Sequence, residues 1–386
     1  MTHEVRIKGW CPGAWHPMAT GDGLLVRVRP RLGRLSRAQV LALCDAAETF
    51  GSGLLELTSR ANLQLRGVSE AGWLKLMAFL VEHRLVAAEP HDERHPPLLL
   101  APEWQAGDAT QQAAHRLQAR LAEMPPLPAK MGFALDAGDA PVLGEASADF
   151  RLERAASGGL LVRADGRARG TPVASVDVAV ALLVRLTHWF VDSGGRDAGR
   201  MARHAVALPD WAPATVRPAA PGAWLALGQH PRGRVFGLPF GRVPARVLRD
   251  AIAPAGVTAV RVTPWRRLLV EGAEKGDTPP ADDLPDDERD TRLRMDACPG
   301  APHCAQASVP TLALADRLSG LIEGTVHVSG CAKGCARQQP ATLCLTGRAG
   351  RYDLILGGRA DDTPAATGLG ESDLLAYLET LDASRL

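Results

Sequence analysis

The sequence predicts an α+β fold assembled from two related halves, and two observations carry that reading. The run "GLLELTSRANLQLRG", Gly53 to Gly67, lies over "GVTAVRVTPWRRLLVEG", Gly256 to Gly272, so that Thr58 meets Thr263 and Gly67 meets Gly272 without a gap. Upstream of each copy stands the same pair of patterns. A strand-like run, "GLLVRVRP" or "RVFGLPFG", precedes a helix-like run, "SRAQVLALCDAAETFG" or "PARVLRDAIAPAG". Each copy therefore reads strand, helix, strand, turn, strand, a unit that buries its apolar face best against its twin.

The elements follow in order. In the first helix Val40, Leu41, Leu43, Cys44 and Ala47 make an apolar stripe, and Gly51 suits its stop. After the first copy come a helix at about Glu70 to Arg84, a Pro-rich loop "EPHDERHPPLLLAPEW" and a helix near Thr110 to Glu123. Strands follow near Lys130 to Asp136 and Asp149 to Arg163, then a long apolar helix from Val173. Asp177, Arg185 and His188 interrupt that helix, so it reads as buried in protein and no membrane association is expected. After the second copy, "EKGDTPPADDLPDDERD" is acidic, Pro-bearing and aperiodic, and reads as a linker or surface loop with solvated charges.

Composition narrows the function classes. The 386 residues are 46% hydrophobic, enough for a substantial core in more than one domain. Lys plus Arg number 44 against 43 Asp plus Glu, which argues against a surface dedicated to nucleic acid, so any anion site must be local. The start, "MTHEVRIKGWCPGAWHP", lacks the apolar core of a signal peptide, and a cytoplasmic address is expected. Thiols stay reduced there, so closely spaced cysteines point to metal or redox work rather than disulfides.

Four of the seven cysteines fall into two tight pairs, "CPGAPHC" (Cys298, Cys304) and "SGCAKGC" (Cys331, Cys335). That is not the spacing of common zinc knuckles. Four thiolates converging from two glycine- and proline-bearing loops are what a [4Fe-4S] cluster requires, with zinc and unligated thiols as the other readings. Cys44 and Cys344 read as packing residues, and Cys11 is left open.

The cysteine pattern, the duplicated unit and "LTSRANLQ" together resemble the sulfite and nitrite reductase family, over nearly the whole chain. The resemblance implies a pseudo-twofold arrangement of two ferredoxin-like half-domains, residues 1–75 and 213–275. It adds two α/β tetrapyrrole- and cluster-binding domains, residues 76–212 and 276–386, the latter carrying the [4Fe-4S] cluster. "ATGDGLLVRVRP", "DACPG", "VHVSGCAKGCA" and "LGGRADDTP" are most similar to the branch of that family that uses O2 and NADH to hydroxylate precorrin-3A at C20, with γ-lactone formation, in aerobic cobalamin biosynthesis. That branch implies a mononuclear non-haem iron beside the cluster and electrons from NADH through a separate reductase. The iron's ligands are not placed by the sequence. His91, Glu93 and His95 of "HDERH" offer the two-His, one-carboxylate set, and His303 and His327 lie nearer the cysteines.

By the same resemblance Thr58, Arg60 and Gln64 fall on the tetrapyrrole-contacting pattern, with Asn62 in the same turn. Arg29 matches the arginine that approaches the bound anion, and Lys130 the first lysine of a paired motif. A ring with eight carboxylates needs arginines at its rim, and Arg60, then Arg27, Arg29 and Arg266 or Arg267, are the candidates. The chain also departs from the reductases: Gly132 stands in place of the second lysine, Lys333 replaces an asparagine, and no Arg–Asn motif occurs between Gly67 and Pro125. Reduction of a doubly charged oxyanion takes several cations at once, so these departures favour an oxygenase over a sirohaem-dependent sulfite or nitrite reductase. A non-enzymatic cluster- or tetrapyrrole-binding protein is the third reading. A monomer is expected, because the internal twin already supplies a symmetric contact.

Overall fold

The computed structural model describes residues 11–274, 276 and 282–380. Two antiparallel five-stranded sheets form its centre. The first runs in the order β1 (Met18–Thr20), β2 (Gly23–Val28), β5 (Leu63–Val68), β4 (Leu54–Leu57), β13 (Arg242–Pro244). The second runs β11 (Gly228–His230), β12 (Gly233–Gly237), β15 (Arg267–Glu271), β14 (Ala259–Val262), β3 (Arg34–Ser36). The edge strands are exchanged. β3 of the first half pairs with β14, Leu35 opposite Val260, while β13 of the second half pairs with β4, Val243 opposite Leu55. Neither half can complete its sheet alone, so the pairing of the twins is built from main-chain hydrogen bonds as well as apolar contact.

The helix Arg37–Phe50 begins at Ser36, whose hydroxyl accepts from the Gln39 amide while the Gln39 side chain accepts from Ser36, a reciprocal cap. Val40, Leu43, Cys44 and Ala47 of the expected stripe are buried, and the helix packs on its twin, Ala245–Ala251. The duplication extends to backbone strain. Leu32 and Phe240 have φ of 55° and 56° at matching turns, and Ala61 and Arg266 have φ of 52° and 58°. Left-handed non-glycine residues each cost on the order of 1 kcal/mol, and their recurrence marks turns held by the surrounding structure.

A second duplication frames the first. β6 (Leu98–Leu100), β7 (Phe133–Asp136), β8 (Phe150–Arg154), β9 (Leu160–Ala164) and β10 (Thr171–Val173) are adjacent in that order, as are β16 (Met295–Ala297), β17 (Val326–Ser329), β18 (Ala341–Arg348), β19 (Arg351–Gly358) and β20 (Ala366–Leu369). In both sheets the first three strands are parallel and the last two antiparallel. The long apolar helix is Val176–Asp192, and its Phe190 meets Phe150 edge-on while Phe150 stacks on Phe133, all three buried. The fold is thus the α+β, pseudo-twofold arrangement expected. Among the described residues no helix is long and apolar enough to cross a membrane.

One expectation is corrected. Part of the acidic run at 274–290 lies outside the described residues, but its Asp286, Glu288 and Asp290 are paired rather than merely solvated. Asp286 takes Arg234, Glu288 takes Arg267 at 2.6 Å, and Asp290 takes Arg292 at 2.6 Å. Asp286 and Glu288 strap the segment to β12 and β15, where the half-buried Arg234 and Arg267 need counter-charges.

Candidate functional site

The turn between β4 and β5 sets the first part of the site. The Thr58 hydroxyl accepts from the amides of Arg60 (3.3 Å) and Asn62 (3.2 Å), and the Thr58 amide donates to the Asn62 carbonyl (2.9 Å). Thr58 and Asn62 therefore shape the turn, and Arg60 projects from it. Its Nη2 donates to the Lys130 carbonyl at 2.9 Å and to Ser147 Oγ at 3.1 Å. On β2, Arg27 lies opposite Gln64 and donates to its Oε1 from Nε (3.1 Å) and Nη2 (2.7 Å). Gln64 in turn donates to Glu56 at 3.2 Å, so it orients the arginine. Arg29 is held by the carbonyls of Glu93 (3.0 Å) and His95 (3.2 Å).

Arg27, Arg29, Arg60 and Asn62 line a cavity of about 260 Å³ walled by the Pro-rich loop. A second cavity of about 420 Å³ adjoins it, sharing Arg29, Glu93 and His95 and reaching Cys11, His16 and Met131. Lys130 itself is exposed and lines neither cavity; its carbonyl anchors Arg60. Burial lowers the pKa of all three arginines, Arg27 to about 10, and Arg29 and Arg60 lower that of Arg27 further by repulsion. They remain charged at neutral pH, crowded and partly dehydrated, which is the condition that carboxylate ligands relieve.

The "HDERH" loop does not form the offered iron triad. The Glu93 carboxylate accepts from the amides of Ala14 (2.5 Å) and Trp15 (2.9 Å), while His91 and His95 face Asp92 at 3.4 and 4.0 Å. Among the described residues no three or more His, Cys, Asp or Glu are gathered as for a single ion. That carboxylate is engaged as an anchor for the backbone at Ala14 and Trp15, and its remaining lone pairs are not joined by the two histidines in a ligand set.

The four cysteines are brought into one neighbourhood. Beyond burial, Cys298 and Cys304 are near enough to raise the thiol pKa of Cys331, and all three others that of Cys335. Their loops meet at glycines: a Cβ on Gly330 would come within 3.3 Å of the Gly300 Cα, and the Gly330 amide donates to Cys298 Sγ at 3.2 Å. Gly300 and Gly334 have φ of 67° and 59°, which side chains other than glycine rarely adopt. Four thiols on two glycine-hinged loops that meet backbone to backbone are a donor set that suits a cluster. Burial raises the thiol pKa of Cys331 and pushes Cys335 up to about 11, so both are protonated at neutral pH until a metal displaces the protons. None of the four lines either cavity. His327 is buried on β17 with Nδ1 3.6 Å from Cys344 Sγ and Nε2 unpartnered, and His303 is half exposed beside Asp22.

Two expected rim arginines belong elsewhere. Arg266 is taken by Asp296 and the Met295 carbonyl, and Arg267 by Glu288, so neither reaches the cavities. The residues that sequence reasoning missed are Asp22, Glu56 and Arg66, which join the first sheet to the first cysteine loop. The signal was there in the alternation of β5: Leu63 and Leu65 point to the core, so Gln64 and Arg66 share the opposite, polar face.

Residues 16–83 match the nitrite/sulfite reductase ferredoxin-like half-domain family. A precorrin-3B synthase of Sinorhizobium sp is 32% identical over 93% of this chain and 85% of its own length. The sulfite reductase [NADPH] hemoprotein beta-component of Xylella fastidiosa (strain M23) is 30% identical over 34% of this chain and 28% of its own. The solved Mycobacterium tuberculosis NirA protein superposes with a TM-score of 0.56 at 19% identity, covering 92% of this chain and 79% of that one, a likeness of fold.

Proposed function

The chain belongs to the precorrin-3B synthase branch of the sulfite/nitrite reductase family, and from that premise we propose that it is an oxidoreductase that hydroxylates precorrin-3A at C20 in aerobic cobalamin biosynthesis. One atom of O2 enters the C20 hydroxyl and the other leaves as water. NADH supplies the two electrons through a separate reductase, and the ring A acetate closes a γ-lactone onto C1. Arg27, Arg29 and Arg60 bind the carboxylate rim, Gln64 fixes Arg27, and Thr58 and Asn62 hold the turn that presents Arg60. Cys298, Cys304, Cys331 and Cys335 hold the [4Fe-4S] cluster. When bound, that cluster stores and relays single electrons, having no coordination position left for oxygen. Oxygen activation by a non-haem iron is part of the proposal without assigned ligands.

The observation that favours this reading over sulfite or nitrite reduction is Gly132. A Cβ there would stand 2.9 Å from the Pro97 carbonyl and 3.0 Å from its ring, so the backbone has closed on the place where the reductases carry a lysine. Without that cation the cavity is suited to carboxylates at its rim and a neutral oxidant at its centre. Anaerobically reconstituted protein given precorrin-3A, a reductant and labelled O2 tests the reading. One labelled oxygen atom in the product is expected. Tightly bound sirohaem with turnover of sulfite or nitrite would replace it with the reductase reading, and substrate binding without label would leave a binding protein.

A further inference from the structure

We propose that Arg66 is a positioning residue for the cysteine centre, clamping the Cys298–Cys304 loop to the arginine-bearing sheet and placing a buried positive charge beside Cys304. The inference rests on the cluster reading above. Arg66 is 5% exposed and follows Gln64 on the polar face of β5. Its Nε and Nη2 take the two oxygens of Asp22 at 3.0 and 2.9 Å, and Nη2 also donates to the His303 carbonyl at 2.9 Å. That carbonyl belongs to the peptide leading into Cys304 and accepts the Gly21 amide at 3.1 Å as well. A Cβ on Gly21 would lie 2.4 Å from the Pro302 carbonyl, so hairpin and loop meet backbone to backbone. Glu56 stands 3.7 Å from Arg66 Nη1, and the guanidinium is within electrostatic reach of the Cys304 thiol.

The second half supplies an internal control. At the places matching Glu56 and Arg66 it has Arg261 and Glu271, the same pair reversed. Its buried arginine, Arg261, donates to the carbonyls of Pro102 and Trp104, both at 2.7 Å, in the loop after β6. β6 is the topological counterpart of β16, after which the first cysteine loop begins. Both halves thus use a buried arginine to hold the loop after the first strand of a facing α/β sheet. Only the loop held by Arg66 carries cysteines.

A cluster that accepts an electron gains negative charge, and a fixed cation nearby favours that state. Arg66→Gln, Arg66→Lys and Arg261→Met proteins, reconstituted beside the wild type, are titrated with dithionite while the cluster is followed by absorbance and EPR. Arg66→Gln is expected to disfavour the reduced cluster about tenfold, 59 mV more negative for one electron. Arg66→Lys, which keeps the charge, should stay near the wild type. Arg261→Met should lower thermal stability and leave the potential alone. An unshifted potential in Arg66→Gln, or an equal shift in Arg261→Met, overturns the proposal. If Arg66→Gln does not fold, Asp22→Asn is read in its place: removing that negative charge should make the potential more positive, and no change overturns the proposal. A wild type that binds no [4Fe-4S] cluster sinks the cluster reading and this inference together.

Discussion

The first half places Arg60 at the tip of its β4–β5 turn, where it opens onto the cavity; the second half places Trp265 at the same register. Trp265 stacks on Trp224 with ring centroids 5.4 Å apart and planes 15° from parallel. Next to it Arg266 is bound to Asp296, and Arg267 to Glu288. The cations at the first half's cavity, Arg27, Arg29 and Arg60, are held by neutral carbonyls, an amide and a hydroxyl, whereas the second turn's cations are matched by carboxylates. Duplication has preserved the backbone, including its left-handed residues, and the buried Arg–Glu pair at the centre of each sheet. At the two turns compared, among the described residues, it has left a cation without a carboxylate partner only at Arg60. A site for an anionic ring needs cations whose counter-charge comes from the ligand, and of the two turns the first meets that condition.

The largest effect that would sharpen this contrast is loss of the cysteine centre. Cys335→Ser is expected to abolish the cluster absorbance, while Cys344→Ala, on the strand β18 facing His327, retains it. Next come the reversed ion pairs. Glu56→Ala strands Arg242 while Arg66 keeps Asp22, and Glu271→Ala strands Arg34 and Arg261. Each should cost about 3–5 kcal/mol in urea unfolding, because an uncompensated buried charge remains. Equal losses would show that the exchanged edge strands hold both halves alike; a small loss in one half would break the symmetry argument.

The two α/β sheets are expected to respond to pH in opposite senses. Burial pushes His327 down to about 4 from its ordinary 6.5, so the unfolded chain binds the proton more readily between those values. Stability is complete above pH 6.5 and is lost as pH falls toward 4, by up to about 3 kcal/mol. Burial raises Asp136 to about 6 from 3.8, against the pull of the Leu143 and Val142 amides. Its contribution is present below 3.8 and is lost as pH rises through 6. Thermal melts of His327→Gln apoprotein across pH 4–7 should flatten the acid-side loss, and Asp136→Asn should flatten the opposing slope. The smallest effect concerns the turn itself: Arg60→Ala should weaken tetrapyrrole binding about tenfold, as for one charge-assisted contact, with the cluster spectrum unchanged. Trp265→Ala should leave binding intact and lower only stability. Normal binding by Arg60→Ala would remove Arg60 from the pocket.

Much of this arrangement was legible in the residues. The half-domain repeat could be read because strand, turn and glycine positions recur in register, and Thr58 with Thr263, Gly67 with Gly272, share structural roles. The pair of α/β domains came through the family resemblance and not from a repeat in the residues, since β6–β10 and β16–β20 share topology and pairing sense but few residues. The paired cysteines and the Arg60–Gln64 turn stood out by motif. Arg266 and Arg267 were misread as rim residues, because an arginine at a turn carries no mark of the carboxylate that will meet it. For Arg266 that carboxylate is Asp296, 30 positions on. Arg66 was missed for the same reason at longer range: its partner His303 lies 237 positions away.

By itself the sequence determined the local grammar: which segments are strands, which turns take a left-handed residue, and which side chains are available as thiols and cations. Those choices rest on short-range sterics, periodic burial and nearby hydrogen bonds. Only the tertiary structure decided which of two like turns would open into a cavity, and which charges would be spent on one another. Burial and charge pairing depend on neighbours hundreds of positions apart, and a buried cation is a binding group only when no carboxylate of its own chain has reached it first.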